Sequence, residues 1–113
     1  MDHVSQSAVE TAEPLDGVQL RLLASGDGAN VQQYRIEPGG EVPEHSHPNE
    51  QLGYLFRGEL TFVVDGEAVV VEAGDSYRLA GDEPHAVENR TETVAEGIDV
   101  FSPPRTDPDW AAD

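Results

Sequence analysis

His45 and His47 stand two residues apart, Gln51 follows shortly after, and His85 lies in a later segment, so four side chains able to hold a divalent cation come from two short stretches. Imidazole nitrogens and an amide oxygen suit a transition metal, and a bound ion polarises an oxygen beside it. Side chains alternate along an extended strand, so a strand through His45 and His47 would send both imidazoles to one side. Gln51 is an even number of residues beyond His47 and heads the run Leu52-Gly53-Tyr54-Leu55-Phe56, which reads as the next strand. The neighbouring Glu50 is an alternative ligand, but it would face the opposite way. Of the four histidines only His3, in a polar N-terminal arm, falls outside the set. An isolated His-x-His is more often a surface feature than a metal site. Here the punctuation argues otherwise: Pro38-Gly39-Gly40 turns into the pair, Gly58 closes the following strand, and Gly74-Asp75 and Gly81-Asp82-Glu83-Pro84 frame the approach to His85.

The elements that must position these residues read as strands. Residues 17–24 and 29–37 are joined by the turn cluster Ser25-Gly26-Asp27-Gly28, and 60–64 and 68–71 flank Asp65-Gly66, a two-residue signal for a type I′ hairpin. Residues 76–79, 85–89 and 93–101 follow. No helical period is visible, and short strands with frequent turns predict an all-β sandwich or barrel. Leu60, Phe62 and Val64 would occupy one face of the hairpin and Thr61 and Val63 the other, beside Val69, Val70 and Val71. A small barrel buries one face only, so the second apolar face predicts a homodimer. Ordinary exposed valines are the plainer alternative.

The 113 residues predict one domain: residues 1–16 a flexible arm or edge strand, 17–105 the barrel, and 106–113 a tail. Cysteine is absent, which excludes disulfides and thiolate ligands. Residues 1–16 lack a basic start and an apolar run, and nothing approaches the roughly 20 apolar residues of a membrane span, so a cytoplasmic protein is expected. Aspartate and glutamate total 23 against six arginines and no lysine, a net charge of −17 dispersed along the chain. Such a chain repels nucleic acid, and its self-repulsion is screened to a range of about 3 Å at molar salt, so a high-salt cytoplasm of the halophile kind is expected.

Two stretches carry a family resemblance. GGEVPEHSHPNEQLGYLFRG resembles the first motif of the cupin superfamily, G-x5-H-x-H-x3,4-E-x6-G, through Gly39, His45, His47, Gln51 and Gly58. GDSYRLAGDEPHAVEN resembles the second, G-x5-P-x-G-x2-H-x3-N, through Gly74, Gly81, His85 and Asn89. Leu79 replaces the proline, one extra residue separates Gly81 from His85, and Gln51 stands in place of glutamate. The resemblance spans roughly residues 30 to 101 and implies a single-domain cupin jelly-roll β-barrel, the double-stranded β-helix. It also implies one divalent metal per chain, zinc, nickel, manganese, iron or copper, on His45, His47, Gln51 and His85. Neutral ligands leave the ion's charge uncompensated and strengthen its Lewis acidity. A metal that only braces the barrel is the plainer reading.

The tail Asp99-Val100-Phe101-Ser102-Pro103-Pro104-Arg105 extends the resemblance to small cupins that linearise unsaturated uronates from pectin and alginate. That resemblance implies that Asp99 exchanges protons, that Phe101 lines the site, and that Arg105 holds an acidic sugar. Arg35, Arg57 and Arg78 are alternatives for the last role. Asp99 as one surface acid among many, and Arg105 paired with Asp107 or Asp109, are the bland readings. The function expected is a metal-dependent isomerase or tautomerase of an unsaturated or keto uronate, against a metal-dependent dioxygenase or a non-catalytic small-ligand-binding cupin.

Overall fold

The computed structural model describes residues 1–106. After a short 3-10 turn at Gln6–Ala8 it consists of ten strands: β1 (Ala12–Leu15), β2 (Val18–Ser25), β3 (Asn30–Ile36), β4 (Glu41–His45), β5 (Glu50–Arg57), β6 (Glu59–Val64), β7 (Glu67–Glu72), β8 (Ser76–Leu79), β9 (His85–Glu88) and β10 (Ala95–Ser102). They form a six-stranded sheet, in the order β1-β2-β3-β10-β5-β8, and a four-stranded sheet, in the order β4-β9-β6-β7. Neighbouring strands pair antiparallel throughout. The two sheets enclose one core that includes Tyr34, Ile36, Leu55, Leu60, Phe62 and Leu79, and the architecture is an all-β jelly roll of two facing sheets.

Alternation explains which face is buried. On β10 every second residue from Ala95 to Phe101 points inward, and on β5 Gln51, Gly53 and Leu55 do so. At the β6–β7 turn both Asp65 and Gly66 have positive φ, as a type I′ hairpin requires. Thr61 is buried as well as Leu60 and Phe62, so β6 itself has little open face, and the exposed valines of this hairpin are Val69 and Val70 on the edge strand β7. A second exposed apolar row, Leu52, Tyr54 and Phe56, lies on the outward side of β5 at 48%, 45% and 48% exposure.

Two details bear on the sequence reading, the first of which differs from it. His45 is the last residue of β4 and His47 lies beyond it in the loop, so no single strand carries both imidazoles. The backbone there leaves the ladder: the His47 carbonyl accepts a hydrogen bond from the Asp82 N–H at 2.7 Å. The second detail concerns β1, which lies within residues 1–16, read above as a flexible arm or edge strand: it pairs at the sheet edge beside β2 and brings Pro14 and Leu15 to the wall of the central cavity.

Candidate metal centre and proton-handling site

His45 at the end of β4 and His85 at the start of β9 are cross-strand partners. His47 joins them from the loop, and ring centroids lie 4.4 Å (His45–His85), 5.2 Å (His47–His85) and 5.8 Å (His45–His47) apart. One ring nitrogen from each of the three lies within 4.8 Å of the others. Between Gly81 and His85, Asp82 has a φ of 64° and its N–H ties this loop to the His47 carbonyl, linking the two histidine-bearing segments.

Backbone carbonyls fix the tautomers. Nδ1 of His45 is 3.0 Å from the Pro43 oxygen, Nδ1 of His47 is 3.1 Å from that of Asn49, and Nδ1 of His85 is 2.8 Å from that of Glu83. A carbonyl only accepts, so each Nδ1 carries the proton and each Nε2 is left with a lone pair. Burial favours the neutral form of His47 and His85. It pushes His85 down to about 4, and it lowers His47, with the nearby Arg105 charge adding to the effect.

Gln51 completes the donor set from β5. Its Oε1 lies 3.0 Å from Nε2 of His47. With the His47 proton on Nδ1, two acceptors face each other across that gap, an arrangement that a shared cation relieves. Four neutral donors with their lone pairs turned inward fit a divalent transition metal, and the three histidines form a cluster that could hold one.

Below the histidines lies a cavity of about 620 Å³. Asp99, 5% exposed, lines it from β10. Tyr77 on β8 donates its hydroxyl proton to Asp99 Oδ1 at 2.6 Å, and its oxygen lies 3.1 Å from the Tyr34 hydroxyl. Gln51 is the inward neighbour of this carboxyl on the paired strand β5, where Asp99 faces Gly53 and Gln51 faces Phe101. Burial drives the Asp99 carboxyl up to about 6, against the pull of Tyr77, Gln51 and Arg105. Both phenols are pushed above their ordinary range by burial first and by the Asp99 charge second.

Phe101, two residues along β10, packs its ring edge-on to His47 at 5.5 Å, and the Arg105 guanidinium lies 5.6 Å from the Phe101 ring centre. The tail reaches this position through Asn49, whose Nδ2 donates to the Pro103 carbonyl at 2.7 Å, and through the Arg105 N–H, which donates to Asn30 Oδ1 at 2.6 Å. Arg35 and Arg57 are instead paired with Glu96, Arg35 also with Glu37, and Arg78 with Glu50. Asp107 and Asp109 lie outside the described residues.

Six of the seven residues singled out in the sequence line one cavity, His45, Gln51 and His85 from β4, β5 and β9 and Asp99, Phe101 and Arg105 from β10 and the tail, and His47 packs against three of them, His85, Phe101 and Gln51. Sequence reasoning missed Tyr34, Tyr77, Gln32 and Asn49. A signal for the tyrosines was present: Gly53 and Gly97 interrupt strands, and a mid-strand glycine marks close approach of another group. Gln32 lines the cavity opposite Asp99 in the β3–β10 register, with a buried Oε1 that has no hydrogen-bond partner among the described residues.

Comparison with known proteins places these features in a family. Residues 32–101 match the cupin domain family. The H2HPP isomerase of Bacillus subtilis is 36% identical over 97 residues, 85% of this chain, and the chain spans 41% of that protein's length. The pectin degradation protein KdgF of Dickeya dadantii is 28% identical over 93 residues, 81% of this chain and 84% of that protein. The structure of KdgF from Halomonas sp. superposes with a TM-score of 0.85 over 95% of this chain and 97% of that one, at 21% identity, which is a likeness of fold.

Proposed function

The chain belongs to the cupin family, and within it we propose a metal-dependent isomerase or tautomerase that linearises an unsaturated or keto uronate. The observation that carries this reading is the adjacency of two groups: the clustered donors of His45, His47, His85 and Gln51, and the buried Asp99 carboxyl on the neighbouring strand lining the same cavity. A zinc, nickel, manganese, iron or copper ion held there would supply Lewis acidity toward a substrate oxygen. Linearisation moves a proton from a hydroxyl to a carbon, so it balances without an oxidant or co-reactant. Asp99, poised at about 6, can accept a proton and return it near neutrality. Arg105 is the proposed carboxylate clamp, since a guanidinium fork binds a carboxylate bidentately. Phe101 walls the site between them and holds the His47 ring edge-on. The likeness to KdgF and the tail motif Asp99-x-Phe101-Ser-Pro-Pro-Arg105 support the uronate as substrate.

The test is elemental analysis of protein purified without chelator, beside His47→Ala, followed by an assay of both on unsaturated uronate monomers. We expect about one metal per chain in the parent and loss of both metal and turnover in the variant. Metal without turnover would turn the reading toward an oxygenase or a ligand-binding domain, and no metal in either sample would end it.

The functional unit proposed is residues 17–105, acting as a homodimer in a high-salt cytoplasm. The half-exposed row Leu52, Tyr54 and Phe56 and the net charge of −17 support those two parts. Among the described residues no helix is long and apolar enough to cross a membrane. Sedimentation across a potassium chloride series tests both parts, and a monomer at every salt concentration would remove the dimer.

A further inference from the structure

A metal-ligating glutamine must present its oxygen, and its amide can turn by half a revolution to present nitrogen instead. Something has to set the direction, and a second layer of hydrogen bonds commonly does so. Here the layer can be followed residue by residue. Tyr77 and Gly53 are cross-strand partners between β8 and β5, and Tyr34 and Gly97 are cross-strand partners between β3 and β10. A Cβ added at Gly53 would overlap the Tyr77 ring, and one at Gly97 would overlap the Tyr34 ring. Both rings therefore lie across glycines that leave room for them, and their hydroxyls meet beside Asp99.

The polarity of the chain follows from proton counting. A phenol has one proton, and that of Tyr77 goes to Asp99 Oδ1, so the Tyr34 proton goes to the Tyr77 oxygen. Asp99 and Gln51 are inward neighbours on the paired strands β10 and β5, and a carboxylate is an acceptor, so the Gln51 group it attracts is the amide N–H. Gln51 Oε1 is then the end turned to His47.

We propose that Tyr77, braced by Tyr34 and seated on Gly53, is a positioning residue of the metal centre: by anchoring Asp99 it fixes the Gln51 amide with its oxygen toward the histidines. The proposal rests on the reading that the histidine cluster holds a metal, and it is independent of which reaction follows. Neither tyrosine touches the ion.

The experiment titrates metal-free protein with Co²⁺, reading affinity by chelator competition and ligand geometry from the visible d–d bands. Tyr77→Phe keeps the ring and removes the hydroxyl, and we expect Co²⁺ to bind about tenfold or more weakly, with altered bands. Gly53→Ala keeps every hydroxyl and displaces the Tyr77 ring, so it should reproduce the defect. Tyr54→Phe, on the outward side of β5, should change neither readout. Circular dichroism of each metal-free variant separates misfolding from a ligand effect. Parent-like affinity and bands in folded Tyr77→Phe, or in folded Gly53→Ala, would overturn the proposal. A parent protein that binds no Co²⁺ would overturn both it and the metal centre. A metal defect in variants of a protein that leaves uronates unchanged would sustain the proposal while removing the isomerase.

Discussion

The inward positions of β3, β5, β8 and β10 include the polar Gln32, Gln51, Tyr77 and Asp99 beside Ile36 and Phe101, whereas below the two histidines the positions that line the same cavity from β4, β6 and β9 include Val42, Leu60, Phe62 and Val87. Both walls obey the same alternation, and they carry opposite free-energy terms. The apolar wall removes hydrocarbon from water and stabilises the fold. The polar wall holds a carboxyl that burial drives up to about 6, a sign that its charged form is disfavoured in place. The difference teaches where function has been set against stability: the six-stranded sheet carries the proton-handling groups, and the four-stranded sheet supplies the dry surface facing them. The histidines stand at the mouth, where His45 and His85 end the four-stranded sheet and meet Gln51 of the other.

Asp99→Asn breaks the polar wall and is expected to have the largest effect. At saturating metal kcat should fall by about 10² to 10⁴, the usual contribution of a positioned acid or base, with one metal per chain retained. The metal-free variant should melt at a higher temperature than the parent at pH 7, because a buried charge has been replaced by a neutral isostere. Steady-state kinetics with thermal melts check both, and a variant that keeps its turnover would take the proton-handling role from Asp99.

Leu60→Ala breaks the opposite wall. Leu60 is fully buried on β6, so the truncation should cost about 2 to 5 kcal/mol in urea unfolding. Turnover per folded, metal-loaded molecule should be kept. A loss of kcat matching that of Asp99→Asn would mean that the division between the walls is false.

The sequence made one half of this arrangement easier to read than the other. Strands and turns were legible because Gly, Pro and Asp-Gly clusters punctuate apolar runs, and the predicted boundaries of β2, β3 and β6 to β10 lie within two residues of those observed. The histidines were legible because each lies close to such a turn. His47 escaped its predicted strand because its carbonyl and Nδ1 bond to loop groups on Asp82 and Asn49, partners that strand alternation does not describe. The Tyr34–Tyr77–Asp99 network was not legible: its members come from three strands, and only sheet order β3-β10-β5-β8 brings them together. Gly53 and Gly97 were the one local trace of it.

The smallest expected effect sharpens the comparison through protons. Burial lowers His85 from its usual 6.5 to about 4 and raises Asp99 from 3.8 to about 6, and both are almost fully buried. Between pH 4 and 6 the unfolded chain therefore carries a proton on His85 and none on Asp99, while the folded metal-free chain carries one on Asp99 and none on His85. Folding then moves a proton from one residue to the other with no net uptake, and the pair contributes no slope to stability against pH. Asp99→Asn removes the folded-state proton. The unfolded state then binds one more proton than the folded state, so stability falls on acidification from pH 6 to pH 4 by about 1.4 kcal/mol per pH unit more than in the parent. His47, which burial also lowers, adds a slope of the same sign to both proteins and drops out of the difference. Urea unfolding of the metal-free proteins at pH 4, 5 and 6 measures it, and parallel curves would show that Asp99 holds no proton in the folded state across this range.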